Sequence, residues 1–144
     1  MRKKMRDNEV LRIVSKIIIP VIFLFALYVQ FHGDYGPGGG FQAGVIFAAG
    51  LILYGLIFGT ARLRRVVSIR FLQGLIAAGL LLFSFVGFLP LLMGRNYLDY
   101  SVFGQDAHSG QHLGIFLVEL GVGITVAAVM VTIFIAFAGR RDNL

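Results

Sequence analysis

The side chain best suited to chemistry is Glu119, the one charged residue in an apolar stretch over residues 113–139. A carboxyl group in hydrocarbon is costly, so we expect it to be protonated, paired or beside water. His112 lies seven residues earlier, two helical turns away on the same face, and the pair could exchange protons near neutral pH. Ion or proton handling at Glu119, or a hydrogen bond that joins two helices, are both open.

The segment Asp106-Ala107-His108-Ser109-Gly110-Gln111-His112 places two histidines four residues apart, a spacing that can bind a metal ion from one helix face. Gly110 weakens a helix there, and no cysteine or further histidine lies nearby. We therefore interpret these histidines as surface residues of a loop and a helix start, and expect no metal site.

A third candidate is the segment over residues 32–42, where glycine fills four of the five positions 36–40. Glycine takes backbone angles closed to other residues, and Pro37 has no N–H to donate. Either this is a tight turn, or its backbone presses against a neighbour or lines a hydrated cavity. His32 and Asp34 are further candidates for an ion or proton path. The segment lacks the Gly-Lys-Ser/Thr of a phosphate-binding loop.

These groups belong to a chain that is too apolar to be a soluble domain. Of its 144 residues, 58% are hydrophobic and 14% are charged, against roughly 25% charged in ordinary soluble domains. A small soluble domain cannot bury so much apolar surface, so lipid must be its solvent. Soluble enzymes, nucleic-acid-binding proteins and secreted modules are thereby excluded, and the absence of cysteine excludes thiol and iron–sulfur chemistry.

Four apolar blocks, at about residues 13–31, 41–59, 71–93 and 113–139, are each long enough to cross a hydrocarbon core of about 30 Å. Backbone groups in lipid must pair internally, and the blocks do not alternate as barrel strands do, so these are helices. Asp7 and Glu9 and the lack of a cleavage site make the first block a retained span. We predict an all-α membrane protein, with residues 1–144 as one integral membrane domain.

Lysine and arginine predict the orientation. Twelve of them lie on one side of the spans, against Arg95 alone on the other. The twelve are Arg2, Lys3, Lys4, Arg6, Arg12, Lys16, Arg62, Arg64, Arg65, Arg70, Arg140 and Arg141. The positive-inside rule puts both termini in the cytoplasm, and a contact of this cluster with anionic lipid would name the same face. The histidines and the glycine-rich loop then lie at the outer face, with Glu119 about two turns inside.

Small residues recur at helical spacing. Gly40, Gly44 and Ala48 share one face of the second span, and Gly110 and Gly114 repeat the pattern at the start of the fourth. Such faces let another helix approach closely, which lipid contact does not require. We predict that they mediate helix–helix packing.

The motifs resemble one known family. The run Gly36-Pro37-Gly38-Gly39-Gly40-Phe41-Gln42-Ala43-Gly44 resembles the Pro-Gly-Gly-Gly-Phe segment of the MnhB-type subunits of Mrp (Mnh) multisubunit sodium/proton antiporters. The stretch Gly110-Gln111-His112-Leu113-Gly114-Ile115, followed by Glu119-Leu120-Gly121-Val122-Gly123, resembles that family's last helix. The residues that coincide are Pro37, Gly38, Gly39, Gly40, Phe41 and Glu119.

This resemblance implies a small four-helix subunit of a hetero-oligomeric complex in the plasma membrane. Its partners would be other hydrophobic subunits, including large ones similar to the proton-pumping subunits of respiratory complex I. Such complexes exchange cytoplasmic Na+ for external H+ and support pH homeostasis. No cofactor is implied.

Three functions stay open. Glu119, with His112, lines an ion path; or the subunit is a scaffold whose flat glycine faces and loop dock partners; or the chain is an autonomous four-helix transporter. The charge asymmetry argues against the third, because such proteins often insert in both orientations. No catalytic constellation lies within the spans, so we expect no enzyme.

Overall fold

A computed structural model describes residues 7–33, 38–97 and 99–141 of the chain. The helices are α1 (Glu9–Phe31), α2 (Gly40–Phe58), α3 (Thr60–Val66), α4 (Ile69–Leu92) and α5 (Ala107–Arg141), with a 3-10 helix at Tyr100–Phe103. Four of them, α1, α2, α4 and α5, are long and apolar enough to cross a membrane. This confirms the prediction of an all-α protein with four transmembrane helices.

Local capping chemistry sets several helix ends. The Asn8 side chain accepts a hydrogen bond from the Leu11 backbone N–H at 3.3 Å, so α1 begins before the predicted residue 13. Ser68 caps α4 in the same way, at 3.2 Å from the Phe71 nitrogen. Gly59 separates α2 from α3 with φ of 99°, a left-handed conformation that favours glycine.

Helix α3 replaces part of the loop expected between the second and third spans. It is amphipathic: Leu63 is completely buried in the main core, whereas Arg62, Arg64 and Arg65 are exposed. The helix therefore lies against the end of the bundle and presents its arginines outward.

Helix α5 is the central element, because it packs against both α2 and α4, whereas α1 packs mainly against α2. The main core joins α2, α3, α4 and α5 through Ala48, Leu63, Val67, Leu72, Ala128, Val131 and Ile135. Phe23 of α1 stacks on Phe47 of α2, with ring centroids 4.7 Å apart. Only 17% of the apolar window of α1 is buried, which leaves most of this helix facing outward.

Two ends of the bundle differ in chemistry. At one end, which we call the basic end, Arg12 of α1 shares a cavity with Arg62 of α3, and the Arg64 guanidinium lies against Gly139 near the end of α5. At the opposite end, the last turn of α1 and the start of α2 meet Glu119 in the first half of α5. The candidate residues for ion handling lie at this second end.

Candidate functional site

The carboxylate of Glu119 lies beside the backbone of what we call the glycine segment, Gly33 and Gly38–Gly40. A methyl group at Gly33 would lie 3.1 Å from Oε2 of Glu119, and one at Gly39 would lie 3.8 Å from Oε1. The acid of α5 and the connection between α1 and α2 therefore form one site.

Close helix packing creates this proximity. A methyl group at Gly40 would overlap the carbonyl oxygen of Glu119 and would lie 2.9 Å from its Cα. One turn further along α2, a methyl group at Gly44 would lie 2.6 Å from the carbonyl oxygen of Gly123. Ala48 continues this face into the main core. The small face of α2 is thus occupied by α5 of the same chain.

The glycine segment needs glycine for two separate reasons. Gly39, which precedes α2, has φ of 145°, a conformation that side chains disfavour. A methyl group at Gly38 would lie 2.9 Å from the Val29 carbonyl oxygen, so there the constraint is close approach. Asp34 and Pro37, both predicted to contribute, lie outside the described residues.

A cavity of about 520 Å³ adjoins Glu119. Its polar lining residues are Gln30, His108, Ser109, His112 and Glu119. Phe31 and Phe116 form an apolar wall, with stacked rings whose centroids are 5.6 Å apart. The structure therefore brings His112 and Glu119 to one cavity, as the spacing of seven residues along one helix requires.

Gln30 is the residue that the sequence reading missed. It is 6% exposed, and its Nε2 has no hydrogen-bond partner in the described part of the chain. Its Oε1 would lie 3.0 Å from a methyl group at Gly123. Gln30 also lines a second, apolar cavity of about 280 Å³ in the bundle interior, so the two cavities adjoin at its amide. The available signal was an uncharged polar residue inside an apolar span.

The other predicted residues lie elsewhere. His32 is exposed and stacks on Tyr28, with ring centroids 4.3 Å apart; it does not line the cavity beside Glu119. Phe41 is 62% exposed and lies on the outside of the bundle. His108 and His112 share the cavity, but among the described residues no three His, Asp or Glu side chains are grouped to hold a metal ion.

The small face at the start of α5 packs against a loop element, not against another transmembrane helix as the spacing suggested. The Tyr100 ring of the 3-10 helix contacts Gly114, and a methyl group at Gly110 would lie 3.0 Å from the Ser101 carbonyl oxygen. Small residues permit any close neighbour, and here the chain's own α4–α5 connection is that neighbour.

Asp99 holds this connection in place. The Ser101 hydroxyl donates to its carboxylate at 2.7 Å and the Ser101 backbone N–H donates at 3.3 Å. The hydroxyl bond, followed by the backbone bond, lowers the pKa of Asp99 below its ordinary value of 3.8. Burial raises the pKa of the neighbouring Tyr100.

Comparison with known proteins gives the family. A family model described as "Domain related to MnhB subunit of Na+/H+ antiporter" matches residues 10–132. The "Putative antiporter subunit mnhB2" of Staphylococcus haemolyticus (strain JCSC1435) is 33% identical over 147 residues, across 96% of this chain and 100% of that protein. The protein of that name from Staphylococcus aureus (strain Newman) is 34% identical over 142 residues, with the same coverage. The chain therefore belongs to the MnhB family of Na+/H+ antiporter subunits.

Proposed function

We propose that this subunit of a multisubunit Na+/H+ antiporter contributes to the cation or proton path, with Glu119 as the ion-binding group. The single observation that carries the proposal is the position of its carboxylate, beside the glycine segment and in a cavity of about 520 Å³. An ionisable side chain inside a transmembrane helix that faces a cavity is a typical feature of ion and proton pathways.

The chemistry of the site suits exchange between Na+ and H+. A carboxylate can hold either ion, but one proton and one Na+ at the same oxygens compete, and such competition is the basis of antiport. Glycine leaves backbone groups accessible next to the carboxylate, where carbonyl oxygens can take part in binding a hard cation. His112 lines the same cavity and can accept or donate a proton near neutral pH.

Gln30 extends the proposed path inward. Its side chain lines both the cavity at Glu119 and the apolar cavity deeper in the bundle. A buried amide with an unpartnered Nε2 among the described residues can donate to a carboxylate or to water, and its Oε1 can accept. We therefore assign Gln30 as the next polar group beyond Glu119.

The test replaces Glu119 by glutamine in the intact complex. Because Glu119→Gln retains the shape of the side chain and cannot ionise, the complex should assemble. Its Na+/H+ exchange in everted vesicles should fall by about a hundredfold, the lower end for loss of a proton-transfer group. Glu9→Gln, an equivalent change at an exposed position on α1, is the matched control and should leave exchange unchanged. Wild-type exchange by Glu119→Gln would refute the proposal.

A structural role is the second candidate, and the exposure of α1 favours it. Only 17% of the apolar window of α1 is buried, and Leu24 and Phe25 are 67% and 53% exposed. The glycine faces of α2 and α5 are engaged within the chain, so docking would use this helix instead. For a scaffold, Leu24→Ala with Phe25→Ala should remove the complex from native gels, while Glu119→Gln should leave exchange intact.

We also propose that both termini face the cytoplasm of a plasma-membrane complex whose other subunits include the large complex I-like ones. The basic end, with the start of α1, all of α3 and the end of α5, supports this orientation. Because the chain lacks cysteine, single cysteines can be labelled with an impermeant maleimide. Gln105→Cys should react in intact cells and Arg140→Cys only after permeabilisation; the reverse pattern would invert the topology.

A further inference from the structure

Four basic side chains converge at the basic end of the molecule. Arg12 and Lys16 lie one turn apart on α1, and Arg62 and Arg65 lie one turn apart on α3. They line two cavities, of about 400 Å³ and about 310 Å³, and both Arg12 and Arg62 contribute to each. The two cavities therefore adjoin at these two guanidinium groups.

These charges have no acidic counterpart in the described part of the chain. The ion pair recorded there joins Arg95 to Asp99 at the opposite end of the bundle. Four like charges around connected cavities repel one another, and an anion that neutralises them would stabilise the arrangement. Guanidinium groups also bind phosphate with two parallel hydrogen bonds. The cluster is therefore suited to a phosphate-bearing ligand.

The lining changes from charged to apolar along α1. Beyond Lys16, the smaller cavity is lined by Ile19 and Pro20 of α1 and by Tyr54 and Phe58 of α2. A ligand that fills this cavity meets cationic groups at one end and hydrocarbon at the other. Free phosphate would leave the apolar part unused, whereas a phospholipid matches both parts.

We infer that an anionic phospholipid binds between α1, α2 and α3, with its phosphate at Arg12 and Arg62 and an acyl chain along Ile19, Pro20 and Tyr54. Basic pockets between transmembrane helices are known sites for acidic head groups. The site lies at the end of the bundle opposite Glu119, so it is independent of the ion-path proposal.

The test uses the whole antiporter complex in nanodiscs of phosphatidylcholine that contain a phosphatidylglycerol with a diazirine on its acyl chain. After illumination, mass spectrometry should find the label on α1 near Pro20 and on α2 near Tyr54. Unlabelled phosphatidylglycerol should compete, whereas added phosphatidylcholine and inorganic phosphate should not. Equal competition by phosphatidylcholine, displacement by inorganic phosphate, or absence of label from both helices would overturn the inference.

Substitutions provide a second measurement. Each basic residue near a membrane surface strengthens binding of anionic lipid about fivefold, so Arg12→Gln with Arg62→Gln should weaken competition by phosphatidylglycerol about twenty-five-fold. Arg70→Gln removes an exposed charge on α4 outside both cavities and should have no effect. An equal loss in Arg70→Gln, or none in the double variant, would contradict the site. If the double variant does not assemble, the competition result on the unmodified complex still decides.

Discussion

Gly40 of α2 lies directly against the backbone of Glu119 of α5, so closely that a methyl group at position 40 would overlap the Glu119 carbonyl oxygen. The same helix contact that holds the bundle together therefore brings the membrane acid to the glycine segment. One turn further, Gly44 meets Gly123, and that glycine also adjoins the Gln30 amide oxygen. Packing between α2 and α5 and the geometry of the candidate site are one set of contacts.

The first prediction concerns this contact. Gly40→Ala should force α2 and α5 apart, because the atoms in the way belong to the backbone of Glu119 and cannot move alone. We expect a loss of stability of about 1–3 kcal/mol, typical of overpacking, measured by thermal unfolding of the purified complex. Gly74→Ala is the control, since nothing lies within 4 Å of a methyl group there. Equal stability of the two variants would disprove the close approach.

A second prediction separates the site from the packing. At Gly33 the methyl group of an alanine would lie 3.1 Å from Oε2 and 3.5 Å from Oε1 of Glu119, the flexible end of a side chain. The carboxylate can shift by a few tenths of an ångström, so Gly33→Ala should assemble normally. The half-maximal Na+ concentration for exchange should nevertheless rise severalfold. An unchanged Na+ dependence would show that the segment has no influence on ion binding at Glu119.

The third prediction tests Gln30. A buried donor without a partner costs about 1–3 kcal/mol, so Gln30→Leu, which removes the polar group, should not lower the unfolding temperature of the complex. If the amide belongs to the path, exchange should fall all the same. Gln73→Leu, at an exposed position on α4, is the matched control and should retain full exchange. Full exchange by Gln30→Leu would remove this residue from the proposed path.

The parts of the structure that follow from composition were predictable, and those that depend on a partner surface were not. Glu119 stands out because a charge in an apolar run is costly wherever the helix faces. Gln30 does not, because its burial depends on Gly123 of a helix distant in sequence. Likewise, Gly110 and Gly114 predict a close neighbour without naming it, and the neighbour is the 3-10 helix. The arginines of α3 concealed a helix because its one deeply buried anchor is Leu63.

The last prediction concerns pH and the α4–α5 connection. The pKa of the Asp99 carboxyl is lower in the folded protein than its ordinary value of 3.8, so its hydrogen bonds with Ser101 stabilise the fold above that pH. This contribution is lost only as the pH falls through the lower, folded value.

Protection of the 3-10 helix in hydrogen–deuterium exchange, corrected for intrinsic rates, should therefore stay constant from neutral pH to about 4 and decline below it. Asp99→Ala should lose protection at every pH, because the acceptor for both Ser101 bonds is gone. Asn96→Ala, an exposed change in the same connection, should behave like the unmodified protein. Loss of protection beginning well above pH 4 in the unmodified protein would mean that another group, and not Asp99, controls this segment.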